Sequence, residues 1–105
     1  MSINYRFNEW RVSGKQPTVW SQNAYSLVSI QVGLVSGMTI GSILYLHYVK
    51  GMTASQIKKN SVAYGMTTAT VRGIIRGSYC PEAYCIFLDM LETEPEMLDR
   101  LFGNN

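Results

Sequence analysis

Thr53-Ala54-Ser55-Gln56-Ile57-Lys58-Lys59-Asn60-Ser61-Val62-Ala63-Tyr64-Gly65-Met66-Thr67-Thr68-Ala69-Thr70-Val71-Arg72-Gly73-Ile74-Ile75-Arg76-Gly77 is the stretch whose reading decides the fold. Thr53 is a good N-cap for a helix carrying Ile57, Lys58 and Lys59, because a threonine oxygen accepts a backbone N–H that a first helical turn leaves unpaired. Gly65 breaks the chain, Thr67 caps a second helix from Thr68 to Arg76, and Gly77 stops it. Val71, Ile74 and Ile75 share one inward face of that second helix. Thr68, Ala69, Arg72, Gly73 and Arg76 are left around the outside, which is small, polar and basic. Two helices joined by a glycine-containing turn give the outline of a helix-turn-helix.

On the C-terminal side, Pro81 opens a helix whose Ala83–Leu91 portion is apolar enough to pack behind this unit. Pro95 starts a last short helix with Met97, Leu98, Leu101 and Phe102 on its apolar side. On the N-terminal side, Thr39 to Val49 places Ile40, Ile43, Leu44 and His47 at helical spacing, and Gly51 ends it where a left-handed cap is wanted. His47 falls on the inward face and reads as a hydrogen-bonded core residue. Gly37-Met38-Thr39 reads as a connection between two buried elements. From Ser21 to Leu34 two periods compete: Leu27, Ile30 and Leu34 fit a helix capped near Ser21, while Val28, Ile30, Val32 and Leu34 fit a strand. The helix is preferred, and the choice over 21–35 stays open. Residues 3 to 12 alternate apolar and polar at first, as an extended arm or edge strand does, before Ser13-Gly14-Lys15-Gln16-Pro17 breaks the chain.

With 105 residues, 47% of them hydrophobic and 15% charged, the chain has the means to close one core and not two. The expected fold is mainly α. It is a compact helix-turn-helix bundle of about five helices over residues 21–105, preceded by an extended or β arm over 1–20.

Charge is segregated along the chain. Residues 1 to 80 hold Arg6, Arg11, Lys15, Lys50, Lys58, Lys59, Arg72 and Arg76 against Glu9, a balance of +7. Residues 81 to 105 hold Glu82, Asp89, Glu92, Glu94, Glu96 and Asp99 against Arg100, a balance of −5 that brings the whole to +2. A basic body suits polyanions and an acidic end repels them. The aromatic arm, with Tyr5, Arg6, Phe7, Trp10 and Arg11, reads first as a surface that packs on a partner subunit and second as a minor-groove or phosphate contact.

Cys80 and Cys85 have neither the spacing of a zinc or redox pair nor that of a disulfide framework, so both read as reduced thiols, with Cys85 packed inside as a small hydrophobe. With His47 the sole histidine, no metal site is expected, and neither is a cofactor. Enzyme chemistry is not expected, because no nucleophile, base and orienting group can be assembled. Leu27 to Val49 carries no formal charge and contains Gly33, Gly37 and Gly41 at a spacing that brings membrane helices together. Only about 14 of its 23 positions are apolar, which argues against a span. Arg6, Glu9 and Arg11 interrupt any secretory signal, so the expected location is the cytoplasm.

Met52-Thr53-Ala54-Ser55-Gln56-Ile57 and Tyr64 to Gly77 resemble the Cro and phage-repressor class of helix-turn-helix proteins, with their Leu-Ser-Gln opening, Gly-Val-Ser turn, Thr-Val and terminal Arg-Gly. Pro81 to Met97, with Pro, Ala, a Leu-rich helix and Glu-Pro-Glu, is similar to the end of HigA-type antitoxin repressors. Trp20-Ser21-Gln22, Leu27-Val28 and Tyr48 to Thr53 are similar to the small regulators of fimbrial adhesin operons. The chain departs from the repressor pattern in the Lys-Lys-Asn-Ser-Val-Ala stretch, which lengthens the link before Gly65, and in Gly73-Ile74, which replaces a polar-aromatic pair. The resemblance implies a homodimeric or higher-order transcriptional regulator, a repressor, bound to double-stranded DNA. In that geometry the second helix enters the major groove by its N-terminal residues. Thr67, Thr68, Ala69 and Arg72 are then the base-edge candidates, and Thr53, Lys50, Lys58, Lys59 and Arg76 the phosphate candidates. Gly73 has two readings, close approach to DNA or a small residue at a crowded helix crossing. The competing expectation is an antitoxin-like interaction module that binds and inhibits a partner protein through its acidic C-terminus or aromatic arm.

Overall fold

The computed structural model describes residues 19–103, so the expected arm lies outside the described residues except for Val19 and Trp20. The element order is α1 (Gln22–Val28), β1 (Gln31–Val32), β2 (Val35–Ser36), α2 (Gly37–Tyr48), α3 (Ala54–Lys58), a 3-10 turn (Ser61–Ala63), α4 (Thr68–Arg76), α5 (Pro81–Thr93) and α6 (Pro95–Phe102). The molecule is a compact, mainly helical globule with one small antiparallel hairpin.

The two periods that compete over Ser21 to Leu34 are each obeyed over half of the segment. Ser21 caps α1 by accepting the Ala24 N–H at 3.1 Å, and the helix runs as far as Val28. The chain then turns into the hairpin, pairing Gln31 with Ser36 and Val32 with Val35. The helix preferred for the whole segment is therefore corrected after Val28. Gly37-Met38-Thr39 is likewise not a connection. Ser36 accepts the Thr39 N–H at 3.2 Å, which makes these residues the first turn of α2.

Gly37 allows α2 to begin in direct contact with α1, since an added Cβ would collide with the Leu27 carbonyl oxygen. One turn on, a Cβ on Gly41 would collide with the Phe102 ring. The small-residue spacing that membrane helices also use thus serves packing inside this globule. Among the described residues no helix is long and apolar enough to cross a membrane.

α2 is the hub, packing against α1, α3, α4, α5 and α6. Its buried side chains Ile40, Ile43, Leu44 and Tyr45 meet Leu27 of α1, Val71 and Ile74 of α4, and Phe87 and Met90 of α5 in one core. An aromatic seam closes the far side, with ring centroids 6.3 Å apart for Tyr48 and Phe87, 6.4 Å for Phe87 and Phe102 and 6.0 Å for Tyr45 and Phe102. Gly51 has φ +75°, as the cap reading requires, and His47 is half-buried with Nδ1 2.8 Å from the Met52 carbonyl oxygen. In α6, Met97, Leu98, Leu101 and Phe102 are all buried, as their spacing indicates. Cys85, by contrast, is exposed, and Cys80 is half-buried. α5 buries Ala83, Phe87 and Met90, and two steps from Ala83 or Phe87 at about 100° per residue carry Cys85 to the opposite face.

Two tyrosines of α2, Tyr45 in the core and Tyr48 partly exposed at its edge, make the fold sensitive to alkali. The hydrogen bond from the Tyr45 hydroxyl to Asp99 Oδ1, 2.8 Å long, and then burial raise its pKa above the ordinary value. Burial, followed by the neighbouring Tyr84, pushes Tyr48 up to about 12. In the unfolded chain both titrate near about 10, so the unfolded state loses its protons first as pH rises. Both contributions are intact below about pH 10; that of Tyr48 is lost as pH climbs through about 12, and that of Tyr45 as pH rises through its own raised pKa. The urea midpoint is expected to fall over that interval, and to fall less steeply in the Tyr45→Phe, Tyr48→Phe double variant.

Candidate nucleic-acid interface

The candidate interface is built on α3, the 3-10 turn and α4. α3 opens with a capping box: Thr53 Oγ1 accepts the Gln56 N–H at 3.2 Å, and Gln56 Oε1 accepts the Thr53 N–H at 2.9 Å. That exchange satisfies two backbone donors and leaves the Thr53 hydroxyl proton available to a ligand. Ile57, fully buried, anchors the helix to the core, and Lys58 and Lys59 are exposed at its end.

The link between α3 and Gly65 is built around the 3-10 turn. α3 stops at Lys58, Asn60 Oδ1 accepts the Val62 N–H at 3.0 Å, and Ala63 is buried beneath the turn. Tyr64 follows with 92% of its surface exposed, and Gly65 with φ +82° turns the chain toward α4. Sequence reasoning missed Tyr64. The available signal was its place immediately before a turn-making glycine, where a side chain has no core to enter.

α4 is held by its C-terminal end. The Ile75 carbonyl accepts the Tyr48 hydroxyl at 2.9 Å, the Ile74 carbonyl accepts the Gly77 N–H at 3.1 Å, and the Gly73 carbonyl accepts the Tyr79 N–H at 3.1 Å and the Ser78 hydroxyl at 3.3 Å. Gly77 takes φ +85° beneath the Tyr84 ring, a position closed to any side chain. Three carbonyls that a helix end would leave unpaired thus have partners, while Val71, Ile74 and Ile75 fix the rotation of the helix.

The opposite side of α4 is open. At about 100° per residue, Ala69, Arg72 and Arg76 fall within about 60° of one another, and all three are exposed. Thr68 is half-buried at the edge of this stripe. Thr67 is exposed but serves the cap, with its Oγ1 accepting the Thr70 N–H at 3.1 Å and lying 3.0 Å from the Thr70 hydroxyl. Gly73 turns toward its own following loop. A Cβ there would stand 3.5 Å from Ser78 Oγ and 3.6 Å from Tyr79 Cβ, ordinary contacts that leave room for alanine.

Lys58, Lys59, Arg72 and Arg76 make no hydrogen bond or ion pair with another described residue, so four cations are left uncompensated on one supersecondary unit. Lys50 stands apart from them, its Nζ 5.8 Å from the Tyr45 ring centroid. The carboxylates lie on other elements: Glu82, Asp89 and Glu92 are exposed on α5, and Glu96 and Asp99 on α6. Asn23 Nδ2 bridges Asp89 Oδ2 at 2.8 Å and Glu94 Oε2 at 3.3 Å, tying α1 to the acidic side. Among the described residues no cluster of His, Cys, Asp and Glu has the makings of a metal site. No protein-family model, curated protein or solved structure matches the chain.

Proposed function

We propose that this chain is a cytoplasmic, sequence-specific DNA-binding regulator of transcription that represses by seating α4 in the major groove of its operator. The observation that carries this reading is the Ala69, Arg72, Arg76 stripe: exposed and without partners for its cations among the described residues, on a helix whose rotation and C-terminal end are both fixed by the core. A helix inserted in the major groove needs such a rigid, slender, uncompensated outer face. Arg72 takes the base-reading role, as a planar fork suited to the O6 and N7 atoms of guanine. Ala69 packs on a thymine methyl, and Thr68 reaches a base or a neighbouring phosphate. Thr67 orders the N-terminal turn more than it reads a base. Lys58, Lys59, Arg76 and the Thr53 hydroxyl contact phosphates, and Tyr64 joins them from the turn.

The exposed apolar side chains Tyr25, Leu34 and Met38, on α1, the hairpin and the first turn of α2, supply material for the homodimer that a two-half-site operator requires. The exposed carboxylates of α5 and α6 support the second reading, an antitoxin-like contact with a basic partner protein.

Salt dependence tests the electrostatic part of the proposal. The logarithm of the affinity for a duplex of arbitrary sequence is expected to fall linearly with the logarithm of salt concentration. Replacing both Lys58 and Lys59 by alanine then reduces the slope by about 2. A slope unchanged by the double replacement, or no binding at low salt, removes α3 from the interface.

A further inference from the structure

A cavity of about 440 Å³ opens between α2, the 3-10 turn and the end of α6, lined by Ser42, Tyr45, Leu46, Lys50, Asn60, Ser61, Val62 and Phe102. Its volume lies in the range of small-molecule sites, about 300–1,000 Å³. We infer that it binds a small aromatic monocarboxylate, with the ring held between the apolar walls and the carboxylate at Lys50.

Leu46, Val62 and the rings of Tyr45 and Phe102 form the apolar walls, the two rings tilted by 46° to each other. These walls suit the face of a flat ring. Among the described residues Lys50 is the one formally charged member of the lining, and its ammonium is carried over the Tyr45 ring. The carboxylate nearest in the network, Asp99, accepts the Tyr45 hydroxyl and does not line the cavity. A single cation beside apolar walls on one side and Ser42, Asn60 and Ser61 on the other favours a ligand with one negative charge and an apolar body. Further donors converge on the same wall. Ser61 makes no side-chain hydrogen bond with another described residue, and Asn60 accepts through Oδ1 from Val62, which leaves its NH₂ to donate outward.

The segment Asn60 to Val62 that walls the cavity also joins α3 to α4. The inference stands on this cavity alone and does not depend on the DNA-binding reading.

Benzoate titrated into the full ¹⁵N-labelled chain is the test. Saturable amide shifts confined to Ser42–Lys50, Asn60–Val62 and Phe102 are expected, with millimolar affinity. Benzamide, the uncharged analogue, and the Lys50→Met variant should each weaken binding about tenfold. Val62→Phe, which fills the cavity and leaves Lys50 in place, should abolish the shifts while its spectrum reports whether the fold is intact. Shifts scattered over all the basic residues, no saturation, or equal affinity for benzoate and benzamide overturns the inference. Unaltered affinity in Lys50→Met does the same, and this exposed residue can be changed without disturbing the core.

Discussion

Phe87→Ala is expected to lower the free energy of unfolding by about 3–5 kcal/mol, a large part of the about 5–15 kcal/mol available to a small domain. Phe87 is fully buried on α5, and its ring meets Tyr48 of α2 at 6.3 Å and Phe102 of α6 at 6.4 Å between centroids. Truncation deletes the side chain through which three helices meet and leaves a void that close-packed neighbours fill only in part. The effect also reaches the candidate site. Tyr48 packs on Phe87 and donates to the Ile75 carbonyl, so loosening the seam releases the C-terminal end of α4. Urea unfolding of Phe87→Ala and Phe87→Leu separates volume from contact, with the leucine variant losing much less. A loss below about 1 kcal/mol for the alanine variant would contradict this account of the core.

Arg72→Ala is expected to remove sequence preference at one base pair while leaving the fold unchanged. Arg72 is exposed and has no partner among the described residues, so its removal from the free protein costs within about 0.5 kcal/mol of stability. In the complex, its loss takes away a bidentate contact that discriminates by about 1–3 kcal/mol, a tenfold or greater change in affinity at that position. Arg72→Lys keeps the charge but loses the planar fork, so it should restore affinity without restoring the preference. Binding to the preferred duplex and to single-base variants of it distinguishes these outcomes. Uniform weakening across all sequences would place Arg72 at a phosphate instead.

The second helix was the most legible element, because independent signals agree there: Thr67 as cap, Gly77 as stop, and Val71, Ile74 and Ile75 as an inward face. α6 was legible for the same reason, with Met97, Leu98, Leu101 and Phe102 at strict helical spacing after Pro95. The hairpin was hidden because the four-residue run Val32 to Val35 is too short to establish a period, and Ile30 belongs to both patterns. Gly37 misled for a different reason. Glycine reads as a break in sequence, whereas here it meets a steric demand from the Leu27 carbonyl that only the packed structure reveals. Cys85 was assigned to the interior on residue type, but its register on α5 decides otherwise. The site was legible in its cations and not in its geometry. Exposure of Lys58 and Lys59 depends on a 3-10 turn that no motif announces, and Tyr64 gains its prominence from that same turn.

The central claim, that α4 reads a DNA sequence, is tested most directly by selecting bound duplexes from a random library with the full chain. The account predicts an enriched motif that loses one specified position in Arg72→Ala and keeps every position, with lower overall affinity, in Lys58→Ala. A library that yields no enriched motif, with both variants binding as the parent does, would contradict it.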